Sequence, residues 1–203
     1  MLEVAISAAV LALVLLAVGV VAKTGQGVFQ NSQAQSGMRK SAQRVLDRIV
    51  DLVADSSRST LSPDPAAPLG SSTLEFRSPT GLGVSGIQWG SRTRIAFAYT
   101  HEDPNNGRDD EGDGFVDDGC IVLVQNVGEH DERTTVLARR VAEYADGESP
   151  NGHDDNGDGL VDEKGLSFVL TSNQLTIRLT LVELDADAHP LLVTSSASVR
   201  LRN

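Results

Sequence analysis

The chain has a single cysteine, Cys120, so no disulfide can form within it, and its folded part must be steadied by something other than a covalent staple. Aromatic residues make up only 4% of it, which leaves the core to aliphatic side chains. Positive charge is short as well. Lys and Arg number 17 against 28 Asp and Glu, and the net charge of −11 excludes nucleic acid and anionic lipid surfaces as partners. The four histidines, His101, His130, His153 and His189, are scattered. A Gly-x-Ser-x-Gly elbow, a phosphate loop and an HExxH helix are all missing, and no catalytic constellation assembles; the chain reads as a non-enzyme.

What is present begins at the N-terminus. Residues 1–22, MLEVAISAAVLALVLLAVGVVA, form an apolar run whose one charge is Glu3. As a helix, ~20 residues at ~1.5 Å each match the ~30 Å of hydrocarbon in a bilayer. A carboxylate at the end of such a helix is costly unless it finds a partner, so Glu3 reads as an assembly residue. A secretory signal peptide would open with a basic stretch, whereas no Lys or Arg precedes Lys23. A plain membrane anchor needs no acid at its tip, and Lys23, Arg39 and Lys40 would hold the remainder of such a chain in the cytoplasm.

Met1-Leu2-Glu3-Val4-Ala5-Ile6, followed by small and branched apolar residues, resembles the N-terminus of type IV pilins and type II secretion pseudopilins. Ser198-Val199-Arg200-Leu201-Arg202-Asn203 resembles the closing strand of the larger minor pilins. The resemblance is specific over residues 1–25 and architectural beyond them. It implies a subunit held in the inner membrane before assembly, then polymerised with itself or with other pilins through residues 1–55. The product would be an extracellular pilus or a periplasmic pseudopilus. In such a filament the Glu3 carboxylate pairs with the N-terminal amine of a neighbour. A prepilin peptidase removes a short basic leader in that family, which usually carries two more residues ahead of the glutamate; either those are missing here or cleavage is offset.

Past Gly19, Gly25 and Gly27, apolar residues recur at Ala34, Met38, Ala42, Val45, Ile49 and Val53, the spacing of an amphipathic helix. Arg39, Lys40, Gln43, Arg44, Asp47, Arg48 and Asp51 take the other face. One helix of ~55 residues would be ~80 Å long. Each glycine lowers helix propensity by about 1 kcal/mol, so the helix is expected to bend or melt between Gly19 and Gly27. Residues 56–72 form a Ser/Pro/Gly linker. Beyond it the period is two: strands are expected at Arg94–Tyr99, Cys120–Val124, Arg133–Tyr144, around Leu175–Leu181, and from Val193 to Arg202. The expected class is α+β, a long N-terminal helix with an apolar and an amphipathic half, packed on an antiparallel β-sheet head domain of residues 73–203. Trp89 is expected in the core.

Two loops of the head, 103–119 and 148–165, repeat one pattern. Asn106-Gly107-Arg108-Asp109-Asp110-Glu111-Gly112-Asp113-Gly114-Phe115-Val116-Asp117-Asp118 aligns without a gap on Asn151-Gly152-His153-Asp154-Asp155-Asn156-Gly157-Asp158-Gly159-Leu160-Val161-Asp162-Glu163. Oxygen side chains alternate at Asp109, Glu111 and Asp113, and at Asp154, Asn156 and Asp158. A wrapped loop of this kind offers a hard cation every second side chain and a backbone carbonyl at the seventh position, here Phe115 or Leu160. Asp117 and Asp162 fall at the ninth. The twelfth position, a bidentate glutamate in an EF-hand, holds Cys120 or Gly165, so Asp118 and Glu163 are the expected substitutes. The loops resemble those of dockerins and thrombospondin type 3 repeats, which implies calcium, about two ions. Zinc is disfavoured, since its sites draw on Cys and His. The ordinary alternative is a pair of solvated acidic turns, but two such loops left without a cation would repel themselves. Two readings of the whole chain stay open: a filament subunit with a calcium-stabilised head, and a membrane-anchored extracellular calcium-dependent binding or adhesion module.

Overall fold

The computed structural model describes the backbone of residues 2–84, 86–185 and 187–202, and their side chains apart from those of residues 2–10, 12, 14, 21 and 24. Glu3 and most of the expected membrane segment therefore lie outside the described side chains. Among the described residues no helix is long and apolar enough to cross a membrane.

A single helix, α1, runs from Leu2 to Val53, 52 residues. It crosses Gly19, Gly25 and Gly27 without a break, contrary to the expected interruption. The reason is that helix hydrogen bonds are local: a glycine weakens a helix by about 1 kcal/mol, but only proline removes a donor. The two halves of α1 have different surroundings. Met38, Ala42, Leu46, Ile49 and Val53 are buried along one stripe, and burial of each larger side chain is worth about 1.5–3 kcal/mol. Leu46 lies in this stripe although the spacing pattern had placed Val45 there; Val45 is only half-buried. Further towards the N-terminus Leu13 and Leu16 are each 69% exposed, and Val28 and Phe29 are exposed too. The Asn31 amide donates to Asp185 Oδ2 at 3.3 Å, which marks where the helix leaves the head.

Seven antiparallel strands make the head: β1 (Thr73–Gly83), β2 (Gly86–Tyr99), β3 (Gly119–Gln125), β4 (Arg133–Val141), β5 (Leu166–Thr171), β6 (Gln174–Leu184) and β7 (Pro190–Arg200). This is the expected α+β class. The sheet runs β1-β2-β3-β4-β6-β5, with β7 on the other edge of β6. β1 and β5 were not among the expected strands, although β1 alternates over Leu74-Glu75-Phe76-Arg77 with Leu74 and Phe76 buried; β5 is buried along most of its length, Ser167 included. β6 alternates as expected, with Leu175, Ile177 and Leu179 fully buried beneath α1. Phe76 and Phe168 supply the aromatic part of the core, and Trp89 does not. Trp89 is half-buried on the outer end of β2, against Pro79, Leu82 and Ile87.

Residues 56–72 are a packed strap rather than a loose linker. Ser56 and Ser57 are buried, a 3-10 turn covers Arg58–Thr60, and backbone bridges join Ser62 to Glu75 and Ser71 to Phe168. The strap satisfies backbone groups that a free linker would leave to water.

The sheet register fixes where the acidic loops sit. Tyr99 at the end of β2, Gly119 at the start of β3 and Val141 at the end of β4 are paired side by side. The β2–β3 loop and the β4–β5 loop therefore leave the sheet at the same end.

Candidate metal centre

The two loops share a backbone. Positive φ recurs at matching places: Gly107 and Gly152, Gly112 and Gly157, Gly114 and Gly159, and the non-glycine pair Asp117 (52°) and Asp162 (50°). The same side chains hold this shape in both copies. Asp109 accepts the N–H groups of Gly112 and Gly114 at 2.6 and 2.9 Å, and Asp154 accepts those of Gly157 and Gly159 at 2.7 and 2.8 Å. Asp117 takes the N–H groups of Asn106 and Gly107, and Asp162 those of Asn151 and Gly152. These four carboxylates, expected as first- and ninth-position ligands, are hydrogen-bonded to their own loop. The seventh-position residues Phe115 and Leu160 donate their N–H groups to Asp113 and Asp158 at 3.1 and 3.0 Å.

The remaining carboxylates behave differently in the two copies. In the first, carboxylate oxygens of Glu111, Asp113 and Asp118 all lie within 4.8 Å of one another. Burial pushes Asp118 up from 3.8 to about 7, helped by the charges of Asp113, Glu111 and Asp103, with Arg140 offsetting a part. Glu111 is raised for the same reasons, burial first and Asp113 next. Among the described residues no Lys, Arg or His forms an ion pair with these three, and Arg140 itself pairs with Glu183 at 3.8 Å.

In the second copy Arg178, from the middle of β6, reaches into the loop. Its guanidinium forms a close ion pair with Asp158 and approaches Glu163 at 3.7 Å. Asn156 donates to Glu163 Oε1 at 3.2 Å. Glu163 is nevertheless raised, mainly by burial. Asp158 and Glu163 are thus drawn together by an arginine, whereas Asp113, Glu111 and Asp118 face one another.

Sequence reasoning missed one position in each copy. Asp103 accepts Asp110 N–H at 3.2 Å, and Glu148, its counterpart, accepts the N–H groups of Asp155, Asn156 and Asp162 at 3.1, 2.9 and 3.1 Å. The signal was available, since both sit at the same offset ahead of the aligned Asn-Gly pairs. The twelfth positions are engaged by the sheet: Cys120 lies in β3 with its thiol against Ala98 O at 3.5 Å, and Gly165 is pressed on Ala142. A Cβ at Gly165 would overlap Ala142 O. A glutamate at Gly165 would have to displace Ala142.

The donor set suits a hard divalent ion. All available groups are oxygens, and two buried oxygens, Asp103 Oδ2 and Glu163 Oε2, have no hydrogen-bond partner, which is costly unless a cation meets them. Calcium there would be held by side chains at Glu111, Asp113 and Asp118, or at Asn156, Asp158 and Glu163. Neither cysteine nor histidine joins either cluster. A junction of charged and aromatic groups ties the two loop bases together: Lys164 Nζ donates to Glu143 at 2.7 Å and to Tyr99 at 3.1 Å, and lies 3.9 Å over the Tyr144 ring.

Comparison with protein-family models, with curated proteins and with solved structures finds no match for this chain.

Proposed function

We propose that the chain is the structural subunit of an extracellular filament of the type IV pilus or pseudopilus kind, built through the N-terminal half of α1, with calcium stabilising the head. The observation that carries this reading is the division of α1. Its C-terminal half is buried in the head, while residues from Leu11 to Phe29 present leucine, valine and phenylalanine to solvent. A projecting rod of this length, ~30 Å, whose described leucines and phenylalanine stand exposed beyond the head, calls for an apolar partner outside it. Copies of the same rod, packed as a bundle, bury that surface. The acidic loops stand at the opposite function: they steady a head that has no disulfide.

Electron microscopy of the assembled chain tests the reading. Helical filaments are expected, and Glu3→Gln is expected to abolish or thin them while the head stays folded by circular dichroism. An unpaired amine in an apolar bundle costs several kcal/mol, which is the physical source of the loss. Normal filaments from Glu3→Gln would sink the pairing. Membrane-bound material that never polymerises would favour the anchored binding module instead.

A further inference from the structure

An open cleft of about 490 Å³ runs between α1 and β4. Arg44 and Arg48 line it from the exposed side of α1 and Arg139 from β4, over an apolar floor that includes Val45, Leu137 and Leu181. No carboxylate lines the cleft, and none of the three arginines has an ion pair among the described residues. Arg44 is held instead by Lys40 O and Ser41 Oγ, at 3.3 and 3.1 Å. This is unexpected in a chain of net charge −11. The acids are gathered elsewhere. Residues 102–118 and 143–164 each hold eight Asp or Glu against a single basic residue, and both leave the same end of the sheet. That end is where α1 departs from the head: Gly114 stands against Leu184, and the adjoining Asp185 accepts the Asn31 amide. Asp110 and Asp155 hold matching places in the two loops, and both are exposed. Their carboxylates accept only the side-chain amides of Asn106 and Asn151 and stand outside the metal cluster, so a bound ion would leave them free.

We propose that the cleft between α1 and β4 receives the acidic loops of a second copy of this chain, with Arg44, Arg48 and Arg139 meeting the outward carboxylates of Asp110 and Asp155. The two surfaces are opposite in charge, and guanidinium and carboxylate groups pair through charge-assisted hydrogen bonds. They also stand at different heights on the molecule. The loops lie level with Asn31, and the cleft lies beside residues 41–48, about 20 Å further along α1. A second copy displaced by that distance along a parallel rod brings its loops to the first copy's cleft. One patch meets a different patch, so the contact repeats from copy to copy without closing, as a filament requires. Exposed ion pairs are individually weak, and the bundled rods supply the local concentration that lets them count. The inference rests on the filament reading of α1 and names the head surfaces that touch within it.

The test is the critical concentration for assembly of the full chain, released from mild detergent and measured by sedimentation, with microscopy to confirm filaments. Arg44→Glu together with Arg48→Glu should raise it about tenfold, and Asp110→Lys together with Asp155→Lys should do the same. A chain carrying all four changes should return to within about twofold of the unaltered one, which a merely structural role for these residues would not produce. Circular dichroism checks that each head is folded; should the α1 changes unfold it, Arg139→Gln reports on the same cleft and should raise the critical concentration about threefold. Raising salt from about 0.1 to about 1 M shortens the screening length from ~10 to ~3 Å and should weaken assembly of the unaltered chain but not of the arginine variant. Equal assembly by all of these chains would overturn the contact while upholding the filament. Losses in both double variants without recovery in the fourfold one would overturn it too. An arginine-dependent preference for phosphatidylglycerol over phosphatidylcholine vesicles, with assembly unchanged, would overturn it in favour of a lipid headgroup. Absence of filaments from the unaltered chain would overturn the filament reading and this contact with it.

Discussion

The β2–β3 and β4–β5 loops have nearly the same sequence pattern, the same positive-φ positions and the same aspartates capping the same backbone groups. They differ in what balances their charge. Asp158 and Glu163 meet Arg178; Asp113 and Asp118 meet each other and Glu111. A loop motif therefore sets the shape of a cation site without deciding what fills it. That choice comes from the strand beneath, because β6 passes under the second loop and puts an arginine at its centre. Judged by its usual asparagine at the third position, the second loop looks the better calcium site in sequence; the structure gives the first loop the uncompensated charge.

The largest effect should come from the twelfth position, where the copies also part. Gly165→Ala drives a Cβ into the Ala142 carbonyl and should cost about 3 kcal/mol or more. Cys120→Ala, which shortens a side chain already accommodated in β3, should cost about 1 kcal/mol. Chemical denaturation of the two variants checks the order, and equal losses would break the distinction drawn between the two loop ends.

Arg178→Met comes next. It leaves Asp158 and Glu163 unpaired, and in EDTA should destabilise by about 2–3 kcal/mol, below the figure for a fully buried pair because Arg178 is 28% exposed. Excess calcium should restore most of that loss by entering the vacated place. A thermal melt that ignores calcium in this variant would show that the second loop has lost its ion-binding shape as well as its charges.

The last difference lies in the pH profile. The folded chain holds a proton on Asp118 up to about 7, while the unfolded chain releases it near 3.8. The folded state therefore binds more protons across that window, and the stability of the ion-free chain should fall as pH rises from about 4 to 7. Asp118→Asn should flatten the slope. In calcium the slope should reverse, since ligand carboxylates must lose their protons to bind. A flat profile for the unaltered chain in EDTA would mean that Asp118 is better solvated than its burial indicates.

Periodicity and composition made much of this legible. The amphipathic stripe of α1, the strands around Phe97, Val122 and Ile177, and the repeated acidic loops are all local patterns, and local patterns survive folding because they express backbone geometry. The strap of residues 56–72 was not legible, since serine and proline read as linker whether or not a sheet edge lies close enough to pair with them. Trp89 failed for a related reason: a large apolar side chain carries no mark of whether its strand continues past the core.

Sequence alone determined that a long helix joins an antiparallel head, and that two loops fold their own backbones around aspartate caps, because both depend on neighbours a few residues away. Only the tertiary structure decided that the loops stand side by side, that Asp103 is sealed beneath one of them, and that Arg178 reaches the other. Those facts depend on strand register, which brings together residues far apart in the chain, and on burial, which turns a carboxylate from an ordinary surface group into one that requires a counter-charge.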